Sequence, residues 1–330
     1  MNSLKISIIV PSYTIDRLKD LVELLDSIQA QTYQDVETVF VADNSPELED
    51  NIRRSIEERG YHHVQVLYNQ GERGASSARN LAIGQVTGDI IAFCDDDALL
   101  LPDWAEETAK TYAQDSSIIG ITGPVLPLWE QGSMNWFPRE FYWIFSCTYW
   151  DMAEKKEVRN GYATNLSCRR EAFDSTGLFN CSLGVKGQSQ SGWQGPGAEE
   201  TEFSLRVKRK TGKHIIYNPQ VRVMHKVYRY RLTTNFIAKR AYWEGYAKAL
   251  LSHWYRPADS ETAVLSTEYK LLRRILFKLL PQIINRLLRQ PPIALRQLWV
   301  TVMVLSCVAG GYLVYKLSHL FGRGQPYGTE

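Results

Sequence analysis

Cysteine pairs, charge of one sign and an N-terminal apolar run are all scarce in this sequence, and each shortage argues against a class of protein. Five cysteines occur, none in a Cys-x-x-Cys pair, which disfavours a zinc site and a disulfide framework. The formal net charge is only +2, and the first two thirds of the chain hold no Lys/Arg block, so we expect no nucleic-acid partner. Shares of 44% apolar and 22% charged residues disfavour disorder and a polytopic membrane protein. We therefore expect a mostly globular chain in a reducing compartment.

The N-terminus opens with MNSLKISIIVPSY. Its apolar run is too short for a signal peptide and ends in Pro-Ser rather than in a cleavage site. We expect the body of the protein to remain in the cytosol. With 330 residues, the chain can hold one large domain and a tail, or two modest domains.

Short β-branched runs alternate with helical stretches through the first hundred residues. The predicted strands are ISIIV (6–10), VETVFVAD (36–43), VQVLYN (64–69) and DIIAFCD (89–95), with helices near 16–31, 47–59 and 76–86. This alternation is typical of an α/β fold with a mostly parallel, Rossmann-like central sheet. Ligands of such sheets bind at the carboxyl ends of the strands, where this chain places polar residues.

Three consecutive aspartates, Asp95 to Asp97, follow the predicted strand 89–95. Adjacent carboxylates repel one another, and a bound cation removes that cost. Asp95 and Asp97 are two residues apart and could reach the same Mg²⁺ or Mn²⁺, one of them through water. The alternative is an Asp-rich turn that caps a helix beginning near Pro102.

Several motifs in a fixed order resemble the family-2 glycosyltransferases of the GT-A fold. They are IIVPSY, VADNSP, the long segment NQGERGASSARNLAIGQVTGDIIAFCDDDALLLPDW, and GAEETEFSLRVKRKTG. The resemblance covers roughly residues 5 to 250. Within the family, the segment YWIFSCTYW before VRNGYATNLSCRR is most similar to archaeal-type glucosyl-dolichyl-phosphate glucuronosyltransferases.

The resemblance implies a nucleotide site. Three residues at the end of the first strand should line the nucleobase pocket: Pro11, Ser12 and Tyr13. Asp43 should hydrogen-bond the base or the ribose. Three more should lie on the nucleotide side: Asn69, Arg73 and Arg79. Their alternative roles are a helix cap for Asn69 and surface salt bridges for the two arginines.

The resemblance also implies a metal site and a base. Asp95 and Asp97 correspond to the Asp-x-Asp metal motif, with Asp96 between them at the nucleotide, and His225 is a candidate metal ligand. The family's acidic pair is usually Glu-Asp; here it is Glu199-Glu200. Because Glu fills the Asp position, either carboxylate could be the base, and we favour Glu200.

Three further features lie beside these motifs. Asn165, Arg169 and Arg170 are candidate polar contacts to substrate. Either arginine could bind an acidic sugar or an acceptor phosphate. Alternatively, either could simply cap a helix. The aromatic segment after residue 120 is expected to be core, or else a wall facing the acceptor. The Gly- and Ser-rich stretch 184–198 could form a lid.

The last quarter of the chain suggests membrane association. We expect a catalytic domain over 1–255, a basic amphipathic surface segment over 256–297, a transmembrane helix over 298–317 and a tail over 318–330. Basic residues alternate with Leu and Ile at 269–290, a pattern typical of a helix that lies on an anionic lipid surface. The uncharged run that follows is close to the ~20 residues needed to span a bilayer. More Lys and Arg precede the run than follow it, so the catalytic domain should face the cytosol. The alternative is a buried C-terminal helix.

These features together predict an inverting transferase. The donor would be a nucleotide sugar, a UDP-sugar and possibly UDP-glucuronate, and a divalent metal would assist. The acceptor would be a hydroxyl of a glycan on polyprenyl or dolichyl phosphate, or of a soluble glycan in exopolysaccharide or O-antigen synthesis. A non-catalytic sugar-nucleotide-binding scaffold stays open. A processive synthase is disfavoured because the chain has one candidate span and no Gln-x-x-Arg-Trp motif, and a nucleotidyltransferase because it has no N-terminal Gly-rich loop.

Overall fold

β-Branched runs form the strands of two sheets. The computed structural model describes residues 3–130, 132, 134–149, 152–184, 195–255 and 264–321. The strands are β1 Ile6–Ser12, β2 Val36–Asp43, β3 Val64–Asn69, β4 Ile90–Phe93, β5 Ala98–Leu100, β6 Ile118–Thr122, β7 Val125–Trp129, β8 Lys156–Val158, β9 Leu166–Arg169, β10 His214–Tyr217 and β11 Val223–Val227.

The large sheet has eight strands in the order β3-β2-β1-β4-β9-β6-β10-β8. β1 lies parallel to both β2 and β4, and β2 lies parallel to β3. β9 is antiparallel to β4 and β6, and the edge strand β8 is antiparallel to β10, so the sheet is mostly parallel with two reversed strands. The smaller sheet has the order β5-β11-β7.

Helices connect these strands and continue beyond them. They are α1 Leu18–Gln29, α2 Pro46–Arg59, α3 Ala75–Ile83, α4 Trp104–Gln114, α5 Arg170–Thr176, α6 Glu199–Thr211, α7 Thr234–Trp254, α8 Ser266–Arg274, α9 Leu280–Leu287 and α10 Pro291–Leu320. Short 3₁₀ turns occupy Ile15–Arg17, Arg139–Phe145, Ala163–Asn165 and Arg229–Leu232, and Ile275–Leu279 is a π-helical stretch.

Alternation along β1 creates two cores, one on each face of the large sheet. Ile8 joins the cluster with Leu24 of α1 and Trp104 of α4, whereas its neighbour Ile9 joins the cluster with Ala82 of α3. Successive strand residues point to opposite faces. Because β1 carries apolar residues on both faces, it requires cover on both faces.

The α/β architecture predicted from the sequence is confirmed. β2 and β3 have the predicted bounds, and β1 runs two residues further, to Ser12. The fourth strand stops at Phe93, so the three aspartates lie in the turn after it. The helix expected near Pro102 begins at Trp104. Most of the proposed lid falls outside the described residues.

Packing divides the chain into two compact units. Unit 1 takes the described residues of 1–128, 151–187 and 199–226, and unit 2 those of 129–150, 188–198 and 227–330. The sequence boundaries at 255, 297 and 317 stay predictions.

Unit 2 is built around the aromatic segment 134–149 and the last helices. Phe137, Phe141 and Phe145 are buried, and Phe137 meets Phe145 with ring centroids 5.3 Å apart. These rings are core, as expected. Ion pairs join Arg240 and Lys248 to Glu244 on α7, at 2.6 and 2.9 Å, so the charges buried on this helix are neutralised within unit 2.

α7 and α10 approach each other through glycines. A Cβ at Gly245 would lie 1.9 Å from the carbonyl oxygen of Val308, and one at Gly311 would lie 1.9 Å from that of Tyr242. Small residues allow two helix backbones to approach closely. Gly311 and Gly245 thus have a packing reason, whereas a Cβ at Gly310 would meet nothing within 4 Å.

Candidate active site

The three aspartates follow the carboxyl end of β4 and lie beside β11. In the antiparallel pairing of β5 with β11, His225 stands opposite Ala98. That register brings the His225 imidazole to Asp97, with 3.0 Å between Nε2 and Oδ1. Both side chains are only 2% exposed.

Asp95, Asp97 and His225 form a candidate metal centre. One ligand atom from each of them lies within 4.8 Å of the others. Carboxylate oxygens suit Mg²⁺ and Mn²⁺, and an imidazole nitrogen is acceptable to the softer Mn²⁺. The residues present therefore fit a divalent cation. The three predicted metal ligands are brought together from two separate segments of the chain.

Two arginines neutralise these carboxylates. Arg17 Nη1 lies 3.0 Å from Asp97 Oδ2. Arg79 lies between two acids, with Nη2 3.1 Å from Asp95 Oδ1 and Nη1 2.9 Å from Glu199 Oε1. Burial lowers the pKa of Arg79, but the carboxylates around it outweigh that effect and raise it. Arg79 thus links the turn of three aspartates to the acidic pair.

Asp96 points to a different partner from its neighbours. Ser12 donates a hydrogen bond to its Oδ2, so the end of β1 holds the middle aspartate. Burial, reinforced by the charge of Asp97, raises the pKa of Asp96 to about 7.

Asp43 and Asn69 build the loop that leads into α3. Asp43 accepts hydrogen bonds from Asn69 Nδ2 at 2.6 Å and from the backbone N–H of Gly74 at 2.9 Å. Gly74 has φ +144, a conformation that favours glycine. Arg73, in the same loop, is exposed. Asp43 and Asn69 lie together, while Arg73 points to solvent.

The two glutamates of the acidic pair have different environments. Glu199 opens α6, is buried and forms the ion pair with Arg79. Glu200 is half-buried and contributes to the electrostatic environment of Arg79. Glu202 pairs with Arg206 at 2.9 Å. Glu199 is therefore part of the buried ion pair of the site, and Glu200 is the more accessible of the two carboxylates.

Comparison with known proteins places this arrangement in a family. Residues 7–177 match the model described as Glycosyl transferase family 2. The chain belongs to glycosyl transferase family 2. It is a glycosyltransferase with the GT-A fold.

Two curated relatives extend along most of the glycosyltransferase chain. A glucosyl-dolichyl phosphate glucuronosyltransferase from Haloferax volcanii is 30% identical over 95% of this chain and 96% of its own. The succinoglycan biosynthesis protein ExoM from Rhizobium meliloti is 29% identical over 69% of this chain and 70% of its own.

Solved structures share the fold. A mannosyltransferase from Pyrobaculum calidifontis, in complex with GDP-Man and Mn²⁺, has a TM-score of 0.63 at 18% identity, covering 98% of this chain and 89% of its own. Residues 1–349 of TarS from S. aureus, in complex with UDP-GlcNAc, give 0.56 at 14% identity, covering 99% of each chain.

Three polar residues of this glycosyltransferase make hydrogen bonds within the fold. Arg169 donates to the carbonyl oxygens of Ile118 and Tyr112, and Arg170 donates to those of Val86 and Gly88. Asn165 accepts from Trp104 Nε1 at 2.9 Å and donates to the Val221 carbonyl. These bonds favour the structural alternative, and contact of these residues with substrate stays a prediction.

Sequence reasoning missed Arg17 and Thr164. Arg17 ends a 3₁₀ turn whose sequence carries no motif, and Thr164 donates to Asp95 from a 3₁₀ turn almost seventy positions away. Only the folded chain brings them to the aspartates. A charged residue close after the first strand was the one available signal for Arg17.

Proposed function

We propose that this glycosyltransferase is an inverting enzyme that transfers a sugar from a nucleotide sugar to a hydroxyl of a lipid-linked glycan. The observation that carries the proposal is the arrangement around Arg79, whose guanidinium joins Asp95 of the metal-binding turn to the acidic pair that opens α6. The residues that would bind the donor diphosphate and those that would activate the acceptor are thus fixed relative to each other.

The roles follow from charge and position. Asp95, Asp97 and His225 would hold Mn²⁺ or Mg²⁺, which when bound supplies positive charge to the diphosphate of the leaving nucleotide. The nucleoside would bind against Pro11, Tyr13 and the loop that Asp43 and Asn69 form. Ser12 and Asp96 would close the bottom of that pocket. Arg73, which is exposed in the loop, and Arg79 would complete the nucleotide side of the site.

Glu200 would be the general base that takes the proton of the attacking hydroxyl. Attack on the face opposite the leaving group inverts the anomeric centre, and a single carboxylate is sufficient for that mechanism. A half-buried position suits this role, since the group must meet an acceptor that arrives from solvent or from the membrane. Glu199 would hold Arg79 in place.

The donor is proposed to be a UDP-sugar, possibly UDP-glucuronate. The glucuronosyltransferase relative supports this choice. The arginines first considered for an acidic sugar, Arg169 and Arg170, are used by backbone carbonyls, so the support for glucuronate comes from the relative and not from those residues. A neutral hexose in exopolysaccharide synthesis is the second candidate, favoured by the succinoglycan relative.

Membrane attachment is proposed through α10, with a single crossing and the catalytic domain on the cytosolic face. α10 has 30 residues, with a mean hydropathy of 1.8 over its most apolar window, and would be about 45 Å long. One face of α10 is exposed and apolar, at Leu295, Trp299, Val302, Leu313 and Leu317.

Basic residues precede α10 on two shorter helices instead of the single one expected. α8 and α9 are joined by the π-helical stretch, directly before Pro281, which offers no N–H to the preceding turn. Lys270, Arg273, Lys278 and Arg289 are exposed, beside exposed apolar residues such as Leu288. This combination suits an anionic lipid surface.

A donor panel tests the proposal. Purified full-length protein in detergent with Mn²⁺ is incubated with UDP-glucuronate, UDP-glucose, UDP-GlcNAc and GDP-mannose, and both thermal shift and nucleoside diphosphate release are recorded. We expect a UDP-sugar to give the largest shift and the fastest release. A GDP-sugar that exceeds every UDP-sugar would exclude the proposed donor class.

A further inference from the structure

Arg17 forms an ion pair with Asp97, one of the three candidate metal ligands. Its guanidinium is 3.0 Å from Asp97 Oδ2, while His225 Nε2 lies 3.0 Å from the other oxygen of the same carboxylate. Arg17 is 7% exposed and Asp97 2%. Both oxygens of the carboxylate therefore have partners within the protein, in surroundings where an unpaired charge would be costly.

The position of Arg17 is fixed from a second side. Its guanidinium also lies 3.7 Å from Asp20 on α1. Lys226, the residue after His225, lies 2.8 Å from Asp20 and also contacts Glu23. Arg17 thus bridges the turn before α1 to the acidic turn, whereas Lys226 bridges β11 to α1 at Asp20, so the second bridge remains if the first is removed.

We propose that Arg17 is the resident counter-ion of the metal site, which stabilises the acidic turn without metal and weakens metal binding by competing for Asp97. The inference rests on the proposed metal centre. A fixed positive charge a few ångströms from a divalent cation repels it, and each contact that Arg17 keeps with Asp97 is one that the cation must replace. Arg17 is a positioning residue that sets the affinity of the site for metal.

The test is Mn²⁺ binding to the full chain in detergent, read from the electron paramagnetic resonance signal of free Mn²⁺ with no donor sugar present. The variants are Arg17→Gln, the charge-retaining Arg17→Lys, and Lys19→Gln, which removes an exposed positive charge two residues further along, in the first turn of α1. We expect Arg17→Gln to bind Mn²⁺ about tenfold more tightly or better. Arg17→Lys and Lys19→Gln should stay within about threefold of the unmodified protein.

A thermal melt in chelator gives the second readout. Arg17→Gln should melt at a lower temperature than the unmodified protein without metal, and Mn²⁺ should raise its midpoint by more. If Arg17→Gln does not fold in chelator, Mn²⁺ must rescue its refolding. Equal or weaker Mn²⁺ binding by Arg17→Gln, or no rescue, would overturn the proposal. Asp97→Asn separates the two hypotheses, because unchanged Mn²⁺ binding in that variant would refute the metal centre itself.

Discussion

Replacing each glutamate of the acidic pair in turn tests whether Glu200 is the general base and Glu199 the structural partner of Arg79. Glu200→Gln removes a carboxylate that is half-buried and, on the proposed mechanism, accepts the acceptor's proton. Loss of a general base typically reduces turnover about 10²- to 10⁴-fold, equivalent to about 3–5 kcal/mol of transition-state stabilisation. Donor affinity should change by no more than a few-fold, because a glutamine has nearly the same shape.

Glu199→Gln should have a different signature. The carboxylate lost here lies 2.9 Å from Arg79 Nη1, and both partners are buried. Breaking a buried ion pair from one side costs up to about 3–5 kcal/mol, and the amide oxygen of Gln can recover part of that by accepting from the guanidinium. We expect a lower melting temperature with a smaller loss of turnover than in Glu200→Gln.

The assay compares the two variants in single-turnover release of nucleoside diphosphate, with thermal melts on the same preparations. The mechanism requires a kinetic defect without a stability defect for Glu200→Gln, and a stability defect for Glu199→Gln. If Glu199→Gln instead loses turnover at full stability while Glu200→Gln remains active, the base is Glu199 and our assignment is wrong by one residue.

Three further predictions concern packing, pH and topology. Gly311→Ala should destabilise the protein, whereas Gly310→Ala, whose Cβ would meet nothing within 4 Å, should be neutral or stabilising in thermal melts; equal effects would contradict the close approach of α7 and α10. Burial raises the pKa of Glu37, but contacts from Lys5, Ser7 and Thr87 outweigh it and lower the pKa to about 2. Its stabilisation is thus present above the unfolded value of 4.5 and fades towards pH 2, so Glu37→Gln should lower stability at pH 7 and match the unmodified protein near pH 2; a difference that persists at pH 2 would refute this. A C-terminal tag should be protected from protease in sealed vesicles that expose the catalytic domain, and a digested tag would show that α10 lies in the plane of the membrane instead of crossing it.

Strands and the ends of strands were predictable because local sequence dictates them. A mostly apolar run such as Ile6–Val10 requires cover on both faces, and the polar residues that follow β1, β2 and β4 lie at one edge of a parallel sheet whatever the details of packing. The grouping of Asp95, Asp97 and His225 came from the family resemblance, and the pairing of β5 with β11 supplies its structural reason.

Partners that come from distant or unpatterned segments were not predictable. Nothing in the sequence around Arg17 distinguishes an internal counter-ion from a surface arginine, and the choice between them is made by the fold of α1 against β11. Arg169 and Arg170 illustrate the same limit, since the sequence left both a substrate contact and a structural role open, and packing provides carbonyl oxygens that accept from both guanidinium groups. A sequence gives the donors of a side chain, while only packing decides which acceptors reach them.

The measurement that tests the central claim most directly is metal-dependent transfer of a radiolabelled sugar into extractable lipid. Vesicles that contain the full-length protein and a polyprenyl-phosphate-linked glycan receive the labelled UDP-sugar selected from the donor panel, with Mn²⁺ or with chelator, and Asp97→Asn is run beside the unmodified protein. Our account predicts label in the lipid fraction only for the unmodified protein with Mn²⁺. Equal incorporation in chelator, or by Asp97→Asn, would contradict it.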